Sequence, residues 1–98
     1  MKVNAEKNNG LCRLQIEGEM TISAATELKK SLLDNLANCS ELEIDLSQVS
    51  EMDTTGFQLL FLVKREASLL NKVFRIISHS PKTLSVLKLY NMKDFFES

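Results

Sequence analysis

Tryptophan is absent, and tyrosine, proline and histidine occur once each, in a chain of 98 residues with three glycines and two cysteines. Each scarcity excludes something. A single histidine, His79, with no acid or cysteine at ligand spacing leaves no metal site. No nucleophile, base and orienting group can be gathered into a catalytic set either, so no enzyme is expected. Cys12 and Cys39, without a C-x-x-C pattern, read as reduced thiols and point to the cytoplasm. No stretch approaches the roughly 18 apolar residues of a membrane span, and no basic, apolar-cored leader is present, so membrane insertion is not expected. Twelve Lys and Arg stand against thirteen Asp and Glu, a formal net charge of −1. That balance offers no basic field to a phosphate backbone, and nucleic acid is not an expected partner.

What is present fits one domain over residues 1–98. A chain of this length buries roughly 60 to 65% of its unfolded surface, enough for one core without a deep enclosed site, so function belongs on the surface. Cys12, Leu14 and Ile16 alternate with Arg13 and Gln15, which predicts a strand over 11–16. "MKVNA" before the polar "EKNNG" supplies a short hairpin partner, and Gly18 and Glu19 close the strand. From a cap at Thr21 or Ser23, Ala25, Leu28, Leu32 and Leu36 recur at helical spacing as far as Asn38. Leu42, Ile44 and Leu46 alternate with Glu43 and Asp45, a strand over 42–46, and "SQVSE" reads as a turn. Gly56, Leu60, Val63, Ala67 and Leu70 share one face of a helix over 54–70. "VFRII" at 73–77 predicts a buried strand, His79 falls in the loop after it, and Ser80 with Pro81 opens a third helix that runs to Asn91. Alternating strands and helices with short connections predict an α/β fold, a mostly parallel sheet of about four to five strands packed with three or more helices.

The stretch "EMDTTGFQLL", 51–60, is the least ordinary part of the chain. Asp53 as a helix cap is expected, because a helix start exposes unpaired N–H groups and partial positive charge. Two β-branched threonines followed by a glycine are not favoured there, since glycine inside a helix costs about 1 kcal/mol relative to alanine. One reading is structural: the hydroxyls satisfy first-turn donors and Gly56 permits close packing on the sheet. The other is that a hydroxyl accepts a phosphate, held by the helix dipole and free N–H groups.

Strand "LEIDLSQVS", a loop and then "MDTTGFQLL" resemble the STAS domain, the fold of bacterial anti-sigma factor antagonists, in which an aspartate, a Ser or Thr, any residue and a glycine open the second helix. "IEGEM" at 16–20 and "ISHSPKTLSVLKLYNMKDFF" are similar to the family's strand-ending Gly-Glu and its closing segments, so the resemblance covers about residues 11–96. It implies a regulatory protein without catalytic activity or cofactor, and no Walker motif is present to bind ATP. Thr54 would accept a phosphate from a partner serine kinase, with Thr55 as second candidate. Asp53, Thr54, Thr55, Gly56 and Phe57 would form the surface that binds a serine kinase or anti-sigma factor. "LKLYNM" and the threonine after the aspartate are also similar to the small STAS subunit that docks on the ATPase of a bacterial phospholipid transporter.

Phe57 and Phe61 lie off the apolar stripe of their helix; buried packing is the default for a phenylalanine, and exposure of either beside the threonines would make it an apolar anchor for a partner. Lys64 and Arg65 fit the rim of a partner surface or a solvated helix face. Asp45 and Asp53 read as a strand end and a cap, not as paired catalytic carboxylates.

Overall fold

Asn9 and Gly10 both take positive φ, 49° and 86°, the conformation that a two-residue hairpin turn needs and that asparagine and glycine adopt at least cost. In the computed structural model, which describes residues 1–97, this turn joins β1 (Lys2–Asn8) to β2 (Leu11–Met20) in antiparallel register, with Ala5 opposite Leu14. The first strand therefore runs through the polar residues expected to form its turn. The chain continues through a 3-10 turn (Ile22–Ala24), α1 (Ala25–Ala37), β3 (Glu41–Met52), α2 (Thr54–Leu69), β4 (Val73–His79), α3 (Pro81–Leu89) and α4 (Lys93–Glu97). The sheet order is β1-β2-β3-β4, with β2, β3 and β4 parallel. This is the α/β architecture that the alternating periodicities predict.

Cys12, Leu14, Ile16, Leu42, Ile44, Leu46, Phe74 and Ile76 form the apolar face of the sheet. Leu28, Leu32 and Leu36 of α1 and Leu60, Val63 and Ala67 of α2 pack into the same core, which Leu87 and Phe96 complete from α3 and α4. Ser80 and Thr83 form a reciprocal capping box with Pro81 at the first helical position, which holds the start of α3.

Four local expectations need correction. Residues 47–51 are not a turn: β3 continues to Met52, pairing Gln48, Val49, Glu51 and Met52 with β2. Irregularities in the register there break the period of two that would have revealed the strand. Neither Thr21 nor Ser23 caps α1; their hydroxyls bond to each other at 3.0 Å, and the chain enters α1 through the 3-10 turn. Leu70 is outside the core, beyond the end of α2. His79 is the last residue of β4, not part of the following loop.

The other face of the sheet carries Arg13, Glu43 and Arg75 side by side on three neighbouring strands. Arg13 donates to Glu43 Oε1 through Nε at 3.2 Å and Nη2 at 2.9 Å, while Arg75 donates to Oε2. The two guanidinium groups flank the carboxylate, whose side chain is only 9% exposed. Next to it Asp45 Oδ1 accepts from the Ser47 amide at 2.8 Å. Burial opposes ionisation of Asp45, but hydrogen bonds from Ser47 and Gln15 and the charge of Arg13 hold its pKa below the ordinary value. Asp45 thus lies on the uncovered face with Asn4, Glu6, Arg13 and Gln15, around a depression of ≈ 260 Å³.

Candidate functional site

The start of α2 is fastened to the end of β2 by one carboxylate and one carbonyl. Asp53 leaves β3 in an extended conformation; its Oδ1 accepts from the Gly56 amide at 2.9 Å and its Oδ2 from the Ile22 amide at 3.0 Å. Its own amide donates to the Met20 carbonyl at 3.3 Å, and its carbonyl accepts from the Phe57 amide at 3.1 Å. The same Met20 carbonyl faces Gly56: a Cβ built there would lie 2.2 Å from the oxygen. Close packing accounts for the glycine, and capping accounts for the aspartate. Loss of both Asp53 bonds in Asp53→Ala is expected to destabilise the domain by about 2 kcal/mol, the upper end for a cap, because the Ile22 amide loses its acceptor too. Urea unfolding of the variant checks this, and a loss within a few tenths of a kcal/mol would contradict it.

Thr54 is left over once these structural needs are met. It is the first residue of α2, it is exposed, and its Oγ1 lies 3.4 Å from the Tyr90 hydroxyl. Thr55 is half-buried. Phe57 turns inward and is buried, stacking on Tyr90 with ring centroids 4.6 Å apart and meeting Phe96 edge-on at 6.2 Å. Phe61, half-buried, stacks on Phe95 at 5.5 Å. Lys64 points to the sheet, donating to the Phe74 carbonyl at 3.0 Å and lying 5.3 Å from the centre of the Phe95 ring; burial lowers its pKa. Arg65 is exposed.

Exposed apolar residues lie in the chain at or beside the groups that Thr54 and Asp53 contact. Ile22, whose amide is tied to Asp53, is 73% exposed; Leu89 is 77% exposed and its neighbour Tyr90 42%. Large apolar side chains at that exposure are the kind of surface that contiguous contact patches are built from. The structure thus gathers Asp53, Thr54, Thr55, Gly56 and Phe57 at one helix start, but divides them: Asp53, Gly56 and Phe57 build the platform and Thr54 faces outward. Sequence reasoning missed Ile22, Leu89 and Tyr90. Ile22 fell in what read as the start of an amphipathic helix, and Leu89 and Tyr90 sit at the end of α3, where helical spacing alone suggests burial. An aliphatic residue off the apolar stripe, as Leu89 is from Leu84 and Leu87, was the available signal.

Among the described residues no group of three or more His, Cys, Asp or Glu is placed to hold a metal ion, and no helix is long and apolar enough to cross a membrane. Residues 3–97 match the protein-family model described as "Mlab, STAS domain". The fold is similar to that of an anti-sigma factor antagonist from Mycobacterium paratuberculosis, at 21% identity and TM-score 0.86 over 97% of this chain and 81% of that one. A putative anti-sigma factor antagonist from Thermotoga maritima matches at 21% identity and TM-score 0.87, over 97% and 83% of the two chains. The Bacillus cell fate determinant SpoIIAA in its phosphorylated form matches at 14% identity and TM-score 0.77, over 99% and 89%.

Proposed function

The chain belongs to the STAS domain family, and on that footing we propose that it is a non-enzymatic bacterial regulatory protein of the cytoplasm, binding a protein partner through the start of α2 and switched by phosphorylation of Thr54. The partner is a serine kinase or anti-sigma factor. The observation that carries this reading is the exposed Thr54, at a helix N-terminus with its hydroxyl 3.4 Å from that of the exposed Tyr90. A phosphate there would add about −1.5 to −2 charges at the helix start. The dipole and the first-turn amides accept such a charge locally, so the domain stays folded. The partner's apolar contacts do not accept it, because the phosphate has to be desolvated beside them and repels acidic groups. Thr55, half-buried, is the second candidate acceptor. Asp53, Gly56 and Phe57 serve the contact by fixing the platform that presents Thr54.

Thr54→Glu is expected to weaken partner binding by about 30-fold or more, while Thr54→Ala stays within about fivefold of the unmodified protein. Quantitative capture of the partner on the three proteins checks this. Equal binding by both variants would contradict the switch.

The contact between Thr54 and Tyr90 supports a second reading. A hydroxyl already engaged with the "LKLYNM" segment suits a permanent contact surface, as in an accessory subunit docking on the ATPase of a phospholipid ABC transporter. In that case both Thr54 variants lose binding, since the native hydroxyl is part of the interface.

A further inference from the structure

The fold brings together two cysteines that are far apart in sequence. Cys12 points from β2 into the core, and Cys39 lies in the turn between α1 and β3; they are 1% and 7% exposed. Their sulfurs lie against successive carbonyls of the last turn of α1, Cys12 Sγ 4.0 Å from Asn35 O and Cys39 Sγ 3.9 Å from Leu36 O. The amides of Ser40 and Glu41, just after Cys39, donate to the Gly10 carbonyl at 2.9 and 3.2 Å, which draws the Cys39 turn against the start of β2 that carries Cys12. Burial as small apolar residues explains either cysteine singly. It gives no reason for both sulfurs to meet at one helix end.

We propose that Cys12 and Cys39 form a dithiol site that reacts with low-molecular-weight disulfides and closes to an intramolecular Cys12–Cys39 disulfide. Cys39, in the turn and the more exposed of the two, attacks first. Its thiolate displaces one small thiolate and forms a mixed disulfide. Cys12, deprotonated in turn, attacks the Cys39 sulfur and releases the second small thiolate. The protein loses two protons and two electrons; the electrons reduce the small disulfide to two thiols.

The surroundings set the rate. Burial first, and then the neighbouring Cys12, push the Cys39 thiol up to about 11, against the opposing charge of Lys72. Lys72 is held nearby by donating to the Leu36 carbonyl at 2.8 Å and the Ala37 carbonyl at 3.3 Å. Little Cys39 is thiolate at neutral pH, so closure is slow there and accelerates as the solution is made alkaline. Once formed, the bond ties β2 to the α1–β3 turn and restricts the unfolded chain, which raises the melting temperature.

The test incubates the folded protein with oxidised glutathione at neutral and mildly alkaline pH, then quenches with acid, denatures and alkylates. Intact mass should fall by two hydrogen atoms, faster at the higher pH, with neither cysteine alkylated. A non-reduced digest should contain a Cys12–Cys39 linked peptide, and reductant should restore both alkylation sites and the original melting temperature. Full alkylation of both cysteines after oxidation would overturn the proposal. So would a stable glutathione adduct, a cross-linked dimer as the end product, or a link that forms only in denaturant. Cys12→Ser should stop at the glutathione adduct on Cys39; an unmodified Cys39 in that variant would overturn the proposed order of attack.

Discussion

Gly56→Ala is expected to destabilise the domain by about 3 kcal/mol, a large effect for a single methyl group. Helix propensity alone predicts the opposite sign, a gain of about 1 kcal/mol. Packing wins because the added Cβ would sit 2.2 Å from a backbone oxygen, that of Met20, and 3.1 Å from its carbonyl carbon. A backbone carbonyl cannot rotate aside as a flexible side chain does. It is also the acceptor for the Asp53 amide, so displacing it loosens the cap and moves the start of α2 away from β2. Urea unfolding gives the size of the effect and circular dichroism shows whether the helix content survives. A variant as stable as the parent would mean that β2 and α2 can separate cheaply at this point, and the explanation of the glycine by close packing would fail.

Glu43→Gln is expected to cost about 2 kcal/mol at neutral pH. Removing one partner of a buried ion pair costs roughly 3 to 5 kcal/mol, but Arg13 and Arg75 are 52% and 41% exposed, and solvent screens part of that loss. Glutamine keeps the shape and some hydrogen bonding while leaving two guanidinium groups facing each other without a counter-charge. The same network makes stability depend on pH. Hydrogen bonds from Arg13 hold the Glu43 carboxyl below its ordinary pKa; burial works against them, and Arg75 adds to the lowering. A depressed pKa means that the contribution is complete above the unfolded-state value and is lost as pH falls through the folded-state value. The difference in stability between the parent and Glu43→Gln should therefore shrink in acid and stay constant from neutral upward. A difference that is unchanged in acid would show that the effect is one of packing.

Much of this fold can be read from residue spacing, because one face of each strand and one stripe of each helix enters a single core. The alternation of Leu42, Ile44 and Leu46 and the spacing of Leu28, Leu32 and Leu36 lead directly to β3 and α1. Periodicity fails where the backbone becomes irregular. Val49 and Met52 are buried at a spacing of three because of the register shifts along β2, so the second half of β3 reads as a turn. It also fails for Glu43, which occupies a face that reads as solvated yet is buried, flanked by two arginines from neighbouring strands. At the candidate site Asp53 and the Thr pair stand out in the sequence. Close packing on the sheet is one of the readings Gly56 offers in the sequence, but the group it packs against, the Met20 carbonyl of a distant strand, is not legible there. Phe57, off the main stripe of α2, is buried because Tyr90 and Phe96 form a second layer above it.

The most direct test of a switchable contact at Thr54 is capture from native lysate, using the unmodified domain and Thr54→Glu as parallel baits and mapping phosphate on the domain recovered from the cell. The expected result is a kinase or anti-sigma factor bound to the unmodified bait alone, with a fraction of cellular Thr54 phosphorylated. Recovery of the same partner by both baits, with Thr54 unmodified in the cell, would contradict it.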